Sequence, residues 1–210
     1  MEPTEHNRRA WDDAHRFAGS HAEPTLPSPV RRALADLSGK NVLNMRCGTG
    51  EAAAQLAELG ATVTGVDDTP GALEIARERW PRILWIEGNV EDLPRELQRG
   101  RFDLAYSGER TLAAVRSLDA FASGVAAAVR ASGDLLLYDE HPVSSCVDGL
   151  MHWRESYFEG GTWRLGQIVN AVARAGFTIR AVEEYPAPQP NPRHHDPRIP
   201  GAFLLYAQRT

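Results

Sequence analysis

Two clusters in this 210-residue chain combine residue types and spacing that chemistry could use. The first is Cys47-Gly48-Thr49-Gly50, entered from the apolar pair Val42-Leu43. It is followed, seventeen residues after Gly50, by Asp67 at the end of a second apolar run. Glycines let a backbone pass close to a ligand, and the start of the following helix offers free N–H groups. An acid at the end of the next strand accepts hydrogen bonds from ribose hydroxyls. The spacing therefore points to a βαβ unit holding an adenosine-containing molecule. Asp68, Asn89, Val90 and Ser107 follow or close later apolar runs and fall at the same rim. Asp68 and Val90 are candidates to flank the adenine and Asn89 to contact it, although each also fits a plain loop or turn role.

The second cluster is Asp139-Glu140-His141-Pro142. His141, with an ordinary pKa of ~6.5, is the candidate proton acceptor, with Glu109 and Glu140 behind it. A histidine between acids and a proline serves structure as readily as catalysis. His152, His194 and His195 raise the question of a metal, but no Cys-x-x-Cys or His-Glu-x-x-His spacing accompanies them, so no metal site is predicted.

The elements that must position these groups alternate. Strands are expected at 41–45, 62–66, 83–86, 102–106 and 135–138, and helices at 51–59, from Pro70 onward, and through Leu118, Phe121, Ala122, Val125 and Val129. Thr69 as N-cap with Pro70 at the first position is good helix-start chemistry, and Gly60 and Gly176 mark helix ends. Alternation of this kind gives a parallel sheet with helices on both faces. After a helix bearing Leu165, Ile168, Val169 and Val172, two further strands at 177–183 and 202–207 are joined by a proline-rich connection over 186–200. Residues 1–38 read as a helical N-terminal cap, with Trp11, Ala14, His15 and Ala18 at helical spacing and a short helix at 30–37. Residues 39–210 read as one α/β unit. The aromatic run Trp153, Tyr157, Phe158 and Trp163 is expected to shape an acceptor pocket, to form a dimer contact or to pack in the core.

Val42-Leu43-Asn44-Met45-Arg46-Cys47-Gly48-Thr49-Gly50 resembles the V-L-D-L-G-C-G-T-G loop of class I S-adenosylmethionine-dependent methyltransferases. Further similarities follow in order: Gly65-Val66-Asp67-Asp68-Thr69-Pro70 with Ala76-Arg77, Glu87-Gly88-Asn89-Val90-Glu91-Asp92-Leu93-Pro94, and Phe102-Asp103-Leu104-Ala105-Tyr106-Ser107. Asn7-Arg8-Arg9-Ala10-Trp11-Asp12 and Glu140-His141-Pro142 resemble flanking features of some of these enzymes. The resemblance implies a Rossmann-like, doubly wound, seven-stranded, mostly parallel sheet of order 3-2-1-4-5-7-6 with an antiparallel C-terminal hairpin. It implies S-adenosyl-L-methionine as cofactor, held by Cys47, Gly48, Gly50, Asp67, Asp68, Asn89, Val90 and Ser107, and in-line methyl transfer to a small-molecule acceptor. The chain departs from the pattern at Asn44, where an acid is usual, and at Arg46, where glycine is usual. These departures motivate an alternative, a non-catalytic binding module with a degenerate loop. Gly48-Thr49-Gly50-Glu51-Ala52-Ala53 also fits the dinucleotide pattern, so an NAD-binding oxidoreductase is a further, less favoured alternative.

Hydrophobic residues make up 42% and charged residues 24%, ordinary for a globular protein, and a net charge of −5 argues against a general nucleic-acid surface. Two cysteines give no disulfide framework, no apolar run reaches membrane-spanning length, and residues 1–10 lack a signal-peptide core. The expectation is a cytoplasmic monomer or homodimer with no membrane partner.

Overall fold

The computed structural model describes residues 26–34, 36–108, 110–148, 152–161, 163–186 and 199–210. Trp11, Ala14, His15 and Ala18 of the expected cap, together with Glu109, His194, His195 and most of the 186–200 connection, lie outside the described residues. So does most of the proposed boundary segment 1–38.

The described elements are α1 (Ser28–Ala33), β1 (Asn41–Met45), α2 (Glu51–Glu58), β2 (Thr62–Asp67), α3 (Pro70–Arg79), β3 (Leu84–Glu87), β4 (Phe102–Ser107), α4 (Leu118–Ala128), β5 (Val129–Glu140), a short 3-10 turn (Ser144–Cys146), α5 (Leu165–Arg174), β6 (Phe177–Pro186) and β7 (Pro200–Arg209). They build one seven-stranded sheet of order β3-β2-β1-β4-β5-β7-β6. β1 to β5 run parallel, and β7 pairs antiparallel with both β5 and β6. This is the Rossmann-like order and closing hairpin that the sequence implies. Among the described residues, no helix is long and apolar enough to cross a membrane.

The central strands read as nearly unbroken apolar runs because both their faces are covered. Leu43, Met45, Ala105, Leu135 and Leu137 pack with Phe121 and Val125 of α4 and with Ile168 and Val172 of α5. Val42, Leu104, Tyr106, Leu136 and Tyr138 pack on the opposite face with Val30, Leu56, Leu73 and Trp85.

Three local expectations need correction. Thr69 occupies the N-cap position of α3, but its hydroxyl makes no capping bond. Instead its backbone N–H donates to Asp67 Oδ1 at 2.9 Å, so the acid of β2 orders this turn. The helix expected over 30–37 is the shorter α1, whose backbone turns extended at Leu34. β5 starts at Val129, directly after α4, six residues before the expected 135. Its register with β4 jumps from Phe102↔Val129 to Leu104↔Asp134, and Ser132 takes φ +59°. The polar and small residues Arg130-Ala131-Ser132-Gly133 read as a loop, yet an irregular pairing absorbs them into the strand.

Candidate functional site

The carboxyl ends of β1 to β5 meet at one rim, where ligands bind in open α/β sheets. At its β1/β2 side the chain turns out of β1 through Arg46, Cys47, Gly48 and Thr49 to Gly50, which precedes α2. Gly48 (φ +54°) and Gly50 (φ +95°) take left-handed conformations that glycine adopts without a Cβ clash. A Cβ on Gly50 would meet Trp85 Cη2 at 2.7 Å and Trp80 Cε3 at 2.9 Å, whereas one on Gly48 meets nothing within 4 Å. The loop is thus packed tightly against the sheet at Gly50 and open at Gly48, the arrangement of a cradle.

Asp67 fastens this cradle. Its carboxylate, 3% exposed, accepts from Gly48 N–H through Oδ2 (2.8 Å) and from Thr69 N–H through Oδ1 (2.9 Å). Each oxygen keeps a second lone pair for a ligand hydroxyl. Cys47 is buried beside it. Desolvation, then the Asp67 charge, pushes its thiol up to about 12, so it packs as a small neutral group. Arg46 takes φ +47°, the left-handed conformation that the usual glycine would enter more cheaply. Asn44, one residue before the end of β1, and Ser107, the last residue of the adjacent β4, are both buried, and their side-chain oxygens Oδ1 and Oγ have no partner among the described residues. Buried polar atoms call for partners, so these two suit a polar ligand laid across the ends of β1 and β4. Asp68 is exposed, Val90 is buried in the core, and Asn89 is exposed with its Oδ1 accepting from Glu91 N–H at 2.8 Å.

At the β4/β5 side a cavity of about 180 Å³ is lined by Arg110, Leu112, Val115, Asp139, His141 and Trp163, among others. Asp139, 2% exposed, accepts three backbone N–H groups: Arg110 (2.7 Å) and Glu140 (2.7 Å) on Oδ1, and Leu112 (2.9 Å) on Oδ2. Burial raises its carboxyl to about 6 against the lowering effect of those donors. The post-β4 turn that it ties down carries Arg110 at φ +66°. Trp163 Nε1–H donates to Val115 O at 2.7 Å, which fixes the ring as a wall.

His141 is buried here, and its Nδ1 accepts from Val143 N–H at 3.1 Å. That bond places the ring proton on Nε2, which lies 3.0 Å from Glu184 Oε1 without aiming a well-formed hydrogen bond at it. Burial lowers the His141 pKa and Glu184 opposes the change. The ring is therefore neutral near pH 7 and has no free lone pair to offer an acceptor.

The sequence placed Asp139 at the rim without giving it a task, and it singled out neither Arg110 nor Glu184. An acid closing the apolar run 135–138 was the available signal for Asp139, while nothing local marks Glu184. Of the aromatic run, Trp163 packs against the core and lines the cavity, and Trp153 and Phe158 stand exposed.

The comparisons with known proteins agree with this geometry. A family model described as a methyltransferase domain matches residues 42–133. An uncharacterized methyltransferase of Synechocystis sp. is 37% identical over 158 residues, 70% of this chain and 70% of that protein. This chain belongs to the class I S-adenosylmethionine-dependent methyltransferases. A ubiquinone biosynthesis O-methyltransferase of Bordetella pertussis is 36% identical over 101 residues, so this methyltransferase chain spans only 42% of that relative's length. An S-adenosylmethionine-dependent methyltransferase from Mesorhizobium loti shares the fold at TM-score 0.72 with 24% identity, covering 86% of this chain and 96% of that one. Family membership makes the chain an enzyme and S-adenosylmethionine its cofactor, and the cradle, Asp67 and the two unpartnered buried oxygens fit that group.

Proposed function

We propose that this methyltransferase modifies a small acceptor seated in the cavity between the ends of β4 and β5, by in-line transfer. The cavity carries the reading: its roughly 180 Å³ suits a metabolite-sized group, since a void near 150 Å³ takes benzene. In this reading Cys47, Gly48, Gly50 and Asp67 hold the nucleoside, with Asp67 accepting from the ribose diol. Asp68 and Val90 flank the adenine, the remaining Asn89 lone pair accepts from it, and Ser107 faces the methionine end. The bound cofactor supplies a sulfonium methyl with a good leaving group, so the protein contributes alignment and exclusion of water, together worth ~7–11 kcal/mol. His141, whose Nδ1 is taken by the Val143 N–H and whose Nε2 faces Glu184, is assigned to positioning the turn after β5 rather than to taking the acceptor's proton. Isothermal titration with S-adenosylmethionine and S-adenosylhomocysteine tests the cofactor half. One-site saturable binding is expected, and no heat at millimolar ligand would contradict it.

The non-catalytic alternative draws on Asn44 and on Arg46 at φ +47°. The double variant Asn44→Asp with Arg46→Gly separates the two. A large gain in affinity from an undetectable starting level favours degeneration, and little change from tight binding rules it out.

A further inference from the structure

We propose that the acceptor carries an anionic group, a carboxylate or a phosphate monoester, bound by Arg110, with its body against Leu112, Val115 and Trp163. The inference rests on the reading of this cavity as the acceptor site. Three observations meet at Arg110. It lines the cavity, and its side chain forms no hydrogen bond or ion pair with any described residue, unlike Arg130 and Arg174, which pair with Asp103 and Asp119. Its backbone sits at φ +66°, a conformation that a residue with a Cβ resists. That conformation is held by a buried carboxylate 29 residues away, which takes the N–H groups of Arg110 and Leu112. Strain of this kind persists where the surroundings over-determine it, and such positions concentrate at ligand sites.

The chemistry of the wall gives the class of ligand. A guanidinium presents a planar fork of donors matched to carboxylate and phosphate oxygens. Among the described residues, no internal ion pair has to break before Arg110 meets a ligand. The carboxylates of the same wall are already engaged: Asp139 by three N–H groups, and Glu140 by the Ser144 hydroxyl at 2.8 Å. His141 is neutral, so Arg110 is the cation among the described residues that line this wall. The apolar side chains of Leu112 and Val115 and the indole of Trp163 leave room for a ring-sized body beside it.

The test titrates protein saturated with S-adenosylhomocysteine at pH 7.5 with benzoate and phenyl phosphate, and with the uncharged benzamide and phenol. The reporter is the Trp163 indole N–H resonance, assigned with a Trp163→Phe variant. The proposal expects one or both anions to shift this resonance saturably and the neutral compounds to bind at least about tenfold more weakly. Arg110→Gln should remove the preference for anions, and Arg110→Lys should retain part of it. The stronger of the two anions names the group. Equal shifts from anions and neutral compounds, or an anion preference that survives Arg110→Gln, would overturn the proposal while leaving the cavity as the acceptor site. No shift from any of the four would overturn both readings.

Discussion

The two halves of the rim are closed by the same device put to different ends. On the β1/β2 side, Asp67 ends a strand, is buried, and takes main-chain N–H groups from the glycine loop and from the turn into α3. On the β4/β5 side, Asp139 nears the end of a strand, is buried, and takes N–H groups from the turn after β4. Each turn carries one arginine in a left-handed conformation, Arg46 at φ +47° and Arg110 at φ +66°. The cofactor half is packed on its glycines, with Trp80 and Trp85 against Gly50 and Trp85 against Gly65. The β4/β5 half, proposed for the acceptor, keeps an open cavity and a carboxyl raised to about 6. In the proposed division, a fixed cofactor demands a fixed cradle, whereas an acceptor pocket keeps space and a charge to work with.

The largest effect should come from breaking the packing contrast. A Cβ on Gly65 would overlap ring atoms Cε3 and Cζ3 of Trp85 and lie 2.9 Å from Cys47 Sγ, while the nearest atoms to one on Gly108 are those of the Tyr106 ring and hydroxyl, at 3.1 Å or more. Gly65→Ala should therefore destabilise by about 3 kcal/mol, and Gly108→Ala by about 1 kcal/mol or less. Urea midpoints at unchanged m-value measure both.

The Asp139 carboxyl gives an effect of similar size with a defined pH window. Its folded value of about 6 exceeds the ordinary 3.8, so the folded state binds the proton more tightly. The stabilisation is fully present below about pH 4 and is lost as pH rises through about 6. At about 1.4 kcal/mol per decade of proton affinity, roughly 3 kcal/mol is at stake. Asp139→Asn, which cannot titrate, should flatten this slope between pH 4 and 6 in urea denaturation series. An unchanged slope would show that other groups produce it.

The glycine turn, Asp67 and the strands that carry them were legible in the sequence because their signals are local: a glycine turn, an acid one strand later, and apolar runs of strand length. The acceptor half was not. Asp139 meets Arg110 and Leu112 across 29 and 27 residues of chain, through the β4–β5 pairing rather than any motif. The same pairing geometry, invisible to periodicity, drew Arg130–Gly133 into β5. His141 was found by its residue type, but its Val143 and Glu184 partners, which decide its role, appear only in three dimensions.

The smallest predicted effect compares the two strained arginines. Arg46→Gly and Arg110→Gly should each relieve the left-handed conformation and gain about 1 kcal/mol by calorimetry. Arg46→Gly should do so without weakening S-adenosylhomocysteine binding, and a loss of binding would assign the Arg46 side chain to the cofactor.

The division of labour between the two aspartates is tested most directly by titrating Asp67→Ala and Asp139→Asn with S-adenosylhomocysteine, each first shown to be folded by circular dichroism. Asp67→Ala should weaken binding by ~1.5–3 kcal/mol, about tenfold to somewhat over a hundredfold, as expected for lost hydrogen bonds to a charged group. Asp139→Asn should leave binding within about twofold of the parent protein, since its partners all belong to the acceptor side. Equal losses in the two variants, or no loss in Asp67→Ala, would contradict the account.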